Sequence, residues 1–270
     1  MTFLASVFVL LRFLARRHNS VQWDDWTCLV SLVVAYSFLA ATVLMVTIGE
    51  AGHHVDHYDQ RTVQIFVQSY IATDILAAAS FSLTKVSILL FYRRIFAIKS
   101  AFRKATWVVA GLIFGFFVST TCGLIFPSNP VEAEWKPWIP RTHIHYKPFW
   151  VSFGCINLAL DIAVLALPQP LVWGLKMSRR RKIQLSLTFL LGAFVCVTSI
   201  IRISVVARLD MDDQTYSLIP VTTWNAVEVT TGIICACLPM MPALFRRLLN
   251  HKNRIDSDTT ASPKQSYTTW

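Results

Sequence analysis

The sequence predicts an all-α polytopic membrane protein, a seven-transmembrane helix bundle with its N-terminus outside and its C-terminus in the cytoplasm. Three observations lead to this prediction. Of the 270 residues, 54% are hydrophobic and only 15% are charged, whereas soluble domains usually carry about a quarter charged residues. Apolar runs of about 20 residues recur along nearly the whole chain, as in helices that span a bilayer. The basic residues are concentrated in alternate loops.

Seven hydrophobic segments follow one another: Thr2–Leu14, Trp26–Ile48, Val63–Tyr92, Ala105–Phe126, Phe149–Trp173, Ile183–Val206 and Leu218–Phe245. Six of them are long enough to cross a hydrocarbon core of about 30 Å at about 1.5 Å per residue. The first segment is too short. We expect that the gene model starts late and truncates this helix, or alternatively that the segment lies incompletely in the bilayer. Residues 1–248 are predicted to form the helical domain, and the polar residues 249–270 a disordered cytoplasmic tail.

The loops after the odd-numbered segments carry most of the positive charge. Their basic residues are Arg12, Arg16, Arg17, Arg93, Arg94, Lys99, Arg103, Lys104, Lys176, Arg179, Arg180, Arg181, Lys182, Arg246, Arg247, Lys252 and Arg254. The opposite loops are richer in acidic residues. The positive-inside rule therefore places the odd-numbered loops and the C-terminus in the cytoplasm. The net charge of +10 reflects this topology and contact with anionic lipid, and predicts no nucleic-acid partner.

Five ionisable residues interrupt the apolar segments: Asp74, Lys85, Asp161, Arg202 and Glu228. Each costs a few kcal/mol near the bilayer centre, so we expect them to face the bundle interior and to pair. One interpretation is an outward-facing polar pocket for an unknown small-molecule ligand or ion. The other is a buried pairing network that fixes the register of the helices.

Two residues in these segments carry further expectations. Trp224 precedes Glu228 by four residues on one helix, which would place an aromatic wall beside the carboxylate. Lys85 follows Asp74 by 11 residues, on the same face but about 16 Å along the helix, too far for a direct pair. The expected partner of Lys85 is Asp161 or a backbone carbonyl.

The sequence offers little for metal binding or catalysis. In the loop "GEAGHHVDHYD", His53 and His57 would share a face if helical and could bind zinc or copper, but a solvated loop is favoured. No metal and no cofactor are therefore predicted. The chain has no Ser-His-Asp pattern, phosphate loop or HExxH motif, so we assign no catalytic residue and lean against an enzyme.

Several stretches together resemble one family. They are "QWDDW" (22–26), "KVSILLFYRRIF" (85–96), "NLALDIAVLALPQPLVWGLKM" (157–177), "LGAFVCVTSIIRIS" (191–204) and "WNAVEVTTGIICACLPMMPAL" (224–244). The chain is similar over about residues 10–248 to the fungal rhodopsin-domain family of heptahelical membrane proteins, which includes satratoxin-cluster membrane proteins and receptor-like proteins of pathogenic fungi. The resemblance implies a rhodopsin-like seven-helix domain and a set of family-typical residues: Asp24, Asp25, Lys85, Asp161, Pro168, Pro170, Arg202, Trp224 and Glu228.

The chain departs from the family in the loop after segment four. Members commonly carry a cysteine pair there, whereas this sequence has Ser128 at the first position and no cysteine before Tyr146. The outer loop is therefore expected to lack a disulfide staple. Retinal pigments of this architecture attach their chromophore to a lysine in the seventh helix. Segment seven has no lysine, and Lys85 lies in the cytoplasmic half of segment three, so a retinal adduct is not expected.

Three functional classes remain open. The favoured one is a receptor-like sensor in the plasma membrane, with the outward polar pocket and a possible cytoplasmic signalling partner at the basic inner loops. The second is a membrane enzyme or accessory protein of a fungal secondary-metabolite pathway. The third is a transporter, which the buried charges would suit, although the chain shows no internal repeat.

The predicted orientation can be tested with epitope tags on the two ends of the chain. In intact cells, an N-terminal tag should be accessible to antibody and a C-terminal tag should become accessible only after permeabilisation, because the basic loops stay in the cytoplasm. A C-terminal tag stained on intact cells would show that the orientation is inverted.

Overall fold

The computed structural model describes residues 1–16, 22–49, 60–95, 100–129, 142–143, 146–169, 179–209 and 214–241. These residues form seven α-helices: α1 (Thr2–Arg16), α2 (Trp23–Thr47), α3 (Gln60–Ile95), α4 (Ser100–Ile125), α5 (Tyr146–Ala166), α6 (Arg179–Ala207) and α7 (Gln214–Cys237). Six of them, α2 to α7, are long and apolar enough to cross a membrane. The prediction of an all-α heptahelical membrane protein is confirmed.

Helices α3 and α7 lie at the centre of the bundle. Within the bundle, 61% of the apolar stretch of α3 and 56% of that of α7 are buried, against 17–28% for α2, α4, α5 and α6. A peripheral helix can present apolar side chains to lipid on most of its surface, whereas a central helix is surrounded by protein. The central helices are therefore the place where polar side chains can be accommodated in a membrane protein.

Polar contacts join α2 to α3, the most extensively packed pair of helices. The Ser31 hydroxyl lies 2.7 Å from the Thr84 hydroxyl and 3.3 Å from the Ser80 hydroxyl, and all three side chains are buried. Small hydroxyl residues let two helices approach closely and hydrogen-bond across the interface, which stabilises helix pairs in lipid.

Two helices end earlier than their predicted segments. Helix α5 ends at Ala166, and a turn follows at Leu167 and Pro168. The ring of a proline disfavours the helical conformation of the residue before it, here Leu167. Helix α7 passes at Cys237 into a 3₁₀ turn, Leu238–Met240, that contains Pro239.

The loop after α4 carries a short antiparallel pairing. Strand β1 (Ser128–Asn129) pairs with β2 (Thr142–His143), with Ser128 opposite His143. These backbone hydrogen bonds tie the two ends of the loop that lacks the family's cysteine pair. Several predictions lie outside the described residues: the histidines His53 and His57, the proline Pro170 and the tail, 249–270.

Candidate functional site

We call the end of the bundle where α3, α5 and α7 begin the outer end, following the predicted orientation, and the opposite end the inner end. The five ionisable residues predicted to be buried belong to one hydrogen-bonded and ion-paired network, which we call the outer network. It runs through α3, α5, α6 and α7. Its members are Tyr70, Asp74, Lys85, Asn157, Asp161, Ser199, Arg202, Asn225 and Glu228.

One part of the outer network surrounds Lys85. The Lys85 Nζ lies 3.1 Å from an Asp161 carboxylate oxygen and donates to the Asn157 side-chain carbonyl at 2.8 Å. Asp161 is one of the two partners expected from the sequence. The ammonium also lies 5.6 Å from the centroid of the Phe81 ring. Lys85 therefore joins α3 to α5 through a compensated ion pair.

A second part surrounds Glu228, whose side chain is only 2% exposed. One carboxylate oxygen accepts hydrogen bonds from the Asn157 amide at 2.7 Å and the Ser199 hydroxyl at 2.9 Å. The other lies 2.9 Å from the Arg202 Nε, an ion pair whose N–H is not aligned for a hydrogen bond. The Arg202 guanidinium lies 5.6 Å from the Phe81 centroid. Helices α5, α6 and α7 thus meet at one carboxylate.

Asp74 has a different environment. It accepts a hydrogen bond from the Asn225 side-chain amide at 3.1 Å, and Tyr70 is close enough to interact with it. Asn225 also lies 3.4 Å from Arg202, so an amide separates Asp74 from that guanidinium. Among the described residues, Asp74 has no cationic nitrogen within 4.0 Å, unlike Asp161 and Glu228.

The outer network therefore contains three carboxylates and two cationic side chains. With all five ionised, one negative charge is left uncompensated, and the pairing pattern places it at Asp74. Asp74 is half-buried between the helices, where an unpaired charge is expensive, so this position favours the approach of a positive charge.

A cavity of about 60 Å³ adjoins Asp74. Its lining includes Tyr70, Asn157, Arg202 and Asn225 from the outer network, and aromatic side chains that include Phe81, Phe116, Phe149, Trp150 and Phe153. A single water needs about 10–15 Å³ of such space, so the cavity holds a few waters or a small solute. The cavity is too small for a drug-sized ligand, because pockets for such ligands span about 300–1,000 Å³.

The structure does not bring every predicted site residue to this cavity. Trp224 is half-buried and is absent from the described lining, whose aromatic side chains come from α3, α4 and α5; its expected position beside Glu228 stays a prediction. The position beside it, Asn225, faces the cavity instead. A residue next to Trp224 on a helix points about 100° away from it, which accounts for the difference.

A second buried network, the inner tetrad, lies where α1 and α2 meet. It consists of Arg12, Arg16, Asp24 and Asp25. Arg12 is 0% exposed and reaches Asp24 at 2.9 Å and Asp25 at 2.8 Å. Arg16 contacts both aspartates as well, with 2.6 Å between its Nη2 and Asp24. Two cations and two carboxylates leave the tetrad neutral.

The inner tetrad also fastens α1 and α2 to the central helices. Arg12 donates to the Ala236 backbone carbonyl of α7 at 2.7 Å, and the Ser87 hydroxyl of α3 donates to the Asp24 carbonyl at 2.7 Å. The assignment of Arg12 and Arg16 to the loop after the first segment was therefore wrong: both lie in α1 and are buried, because Asp24 and Asp25 compensate their charge.

The sequence held signals for the residues that were missed. Arg12 and Arg16 are four apart, so they share a face of α1, and a pair of aspartates follows in the first turn of the next helix. Asn157 precedes Asp161 by one turn, and Asn225 precedes Glu228 by three residues. A carboxamide in an apolar segment at helical spacing from a carboxylate indicates a polar face directed at the bundle interior.

Comparisons with known proteins agree with this architecture. The profile of the family described as "Fungal rhodopsin domain" matches residues 11–247. The "SAT4 family membrane protein" of Emericella nidulans is 33% identical over 85% of this chain and 59% of its own length. "Fugralins biosynthesis cluster protein 2" of Gibberella zeae is 27% identical over 90% of this chain and 64% of its own.

A third relative is "Receptor GIN3" of Arthrobotrys oligospora, 25% identical over 90% of this chain and 60% of its own length. The chain thus spans about three-fifths of the length of these three relatives. No solved structure gives a significant match.

The inner tetrad predicts a non-additive pair of substitutions. Asp25→Asn should lower the free energy of unfolding by about 3–5 kcal/mol, because it leaves a buried arginine short of its counter-charge. Arg12→Gln should cost a similar amount. The double variant should cost clearly less than the sum, since it removes one charge of each sign. The measurement is unfolding of the purified protein in mixed micelles, and additive costs would show that the tetrad is not a coupled unit.

Proposed function

The chain belongs to the fungal rhodopsin domain family, and on that premise we propose that it is a receptor-like sensor of the plasma membrane whose outer cavity binds a small cationic solute. The observation that supports this proposal most directly is the charge balance at the cavity. Asp74 adjoins the cavity with no cationic nitrogen within 4.0 Å among the described residues, and Arg202, which lines the same cavity, is paired with Glu228, so a positively charged solute supplies the missing counter-charge.

The size of the cavity defines the class of ligand further. About 60 Å³ accommodates an ammonium or small alkylammonium ion, or a partly hydrated metal cation, without movement of the helices. The aromatic lining favours the same class, because the faces of Phe and Trp rings attract cations. A larger ligand would require movement of the helices that line the cavity.

The outer network offers a route from the cavity to the inner half of the bundle. Asp74 connects through Asn225 to Arg202, and Arg202 to Glu228. Glu228 connects through Asn157 to Lys85, which lies about 16 Å further along α3 than Asp74. A cation at Asp74 repels Arg202, and this repulsion biases the position of Arg202 between Asn225 and Glu228. Signalling requires that this bias reach the inner helix ends.

A second candidate function comes from the names of the relatives. Several are described as proteins of biosynthesis clusters, which supports an accessory or enzymatic role in a secondary-metabolite pathway. The transporter alternative uses the same cavity and network. The three classes make different predictions for one set of experiments: a sensor changes conformation, a transporter carries the cation across the membrane, and a pathway protein alters a metabolite profile when its gene is deleted.

Thermal unfolding of the full chain in nanodiscs tests the binding proposal. Ammonium and methylammonium chlorides should raise the unfolding temperature, whereas tetraethylammonium chloride at equal ionic strength, whose cation is too large for the cavity, should raise it less. Asp74→Asn should fold normally and lose the cation-dependent increase, because it removes the uncompensated charge. Trp224→Phe, outside the cavity lining, is the matched control and should retain the increase. An increase of equal size in Asp74→Asn would exclude this cavity as the site.

A fluorescence measurement distinguishes a sensor from a transporter. A bimane label at Arg103→Cys, with the exposed Cys122 and Cys155 replaced by serine, should change its emission when methylammonium binds. Uptake of the same ion into proteoliposomes should stay at the level of empty vesicles. Uptake without an emission change would favour transport, and loss of a metabolite on gene deletion without either signal would favour the pathway role.

A further inference from the structure

A second and larger cavity lies at the inner end of the bundle. It has a volume of about 1,000 Å³ and lies between the start of α2, the end of α3 and the start of α4. We call it the inner basic cleft and define it by its lining: Gln22, Trp23, Asp24, Trp26, Leu90, Arg93, Arg94 and Arg103. It shares no described lining residue with the cavity at Asp74.

The inner basic cleft has an excess of positive charge. Among its described lining residues, three carry guanidinium groups, and the one carboxylate, Asp24, is already held by Arg12 and Arg16. Arg94 and Arg103 are exposed, and neither is paired with a carboxylate in the described part of the chain. The cleft therefore favours an anion that carries several negative charges.

Arg93 has a fixed position in this cleft. Its guanidinium lies 5.2 Å from the centroid of the Trp107 ring of α4, a cation–π contact that restrains the side chain. A planar guanidinium can bind two oxygens of a phosphate at once. One restrained and two exposed arginines together form a site suited to phosphate groups rather than to a single carboxylate.

The surroundings of the cleft point to a lipid as the source of the phosphates. Helices α2 and α4 each pack against α3, and the described residues show no packing interface between them, so the end of α3 forms the floor of a groove between α2 and α4. Trp23 and Trp26 on one side of the groove are 79% and 54% exposed, as tryptophans at the headgroup level are. Beyond the tryptophans, α2 exposes Val30 and Val33, an apolar surface along which acyl chains can lie.

We propose that the inner basic cleft binds the headgroup of an inositol phospholipid that carries phosphomonoester groups, in the leaflet that the predicted orientation makes cytoplasmic. The three arginines match such a headgroup, which carries several charges, better than phosphatidylserine, which carries one. The volume of the cleft is sufficient for a phosphorylated inositol ring. The bound headgroup would link the inner ends of α2, α3 and α4, next to the inner tetrad. This site is independent of the proposed cation-binding function.

Native mass spectrometry of the full chain in mild detergent tests this proposal. Dioctanoyl phosphatidylinositol 4,5-bisphosphate should bind with one-to-one stoichiometry and at least tenfold more tightly than dioctanoyl phosphatidylserine. The double variant Arg94→Gln/Arg103→Gln should weaken binding at least tenfold and keep a monodisperse size-exclusion profile, because both side chains are exposed. Arg208→Gln, an exposed arginine near the opposite end of the bundle, is the matched control and should bind like the unmodified chain.

Four results would overturn the proposal. Equal affinity for the two lipids, or unchanged binding in the double variant, would mean that attraction is diffuse and does not depend on the cleft. Inositol 1,4,5-trisphosphate bound as tightly as the lipid would assign the site to a soluble phosphate. Displacement of the lipid by a hexaglutamate peptide at the same concentration would assign it to an acidic protein segment.

Discussion

Compensation of buried charge is the constraint on which the rest of this structure depends. A charged side chain inside a bilayer costs several kcal/mol unless it is paired and hydrogen-bonded. The protein meets this constraint at two levels, with the outer network and the inner tetrad. Each joins residues from several helices, and α3 and α7 take part in both. The relative placement of the helices is therefore tied to the matching of charges as well as to apolar packing.

The two networks differ in their charge balance. The inner tetrad has two arginines against two aspartates, and each arginine contacts both carboxylates. Such an arrangement serves to hold helices together. The outer network has three carboxylates against two cations, and its unpaired member adjoins a cavity. A protein that only needed to fix its helices would not require that imbalance, which is why we locate the proposed binding function at Asp74.

The sequence alone predicted the number of helices and their order, and it singled out the five ionisable residues of the outer network, but not the inner tetrad. These features follow from hydropathy and segment length, which depend on local composition. The pairing pattern depends on how the helices rotate against each other. Trp224 and Asn225 show why hydropathy does not predict this pattern. They are one position, or about 100°, apart around α7, yet Trp224 lies outside the cavity lining and Asn225 contacts Asp74.

Arg12 illustrates a different limit. Counting positive charges assumes that each is solvated, and that assumption fails when an equal number of carboxylates lies in the first turn of the next helix. The ends of α5 and α7 were also misplaced, because hydropathy continues through Pro168 and Pro239 whereas the α-helical backbone does not.

The free energies of unfolding of two conservative variants, Asp161→Asn and Asp74→Asn, measured in the same mixed micelles, test the assignment of the unpaired charge most directly. Asp161→Asn deprives Lys85 of its counter-charge and should cost about 3–5 kcal/mol. Asp74→Asn removes the uncompensated charge and should cost less than about 1 kcal/mol, or stabilise the protein. Equal costs for the two variants would contradict the assignment of the unpaired charge to Asp74.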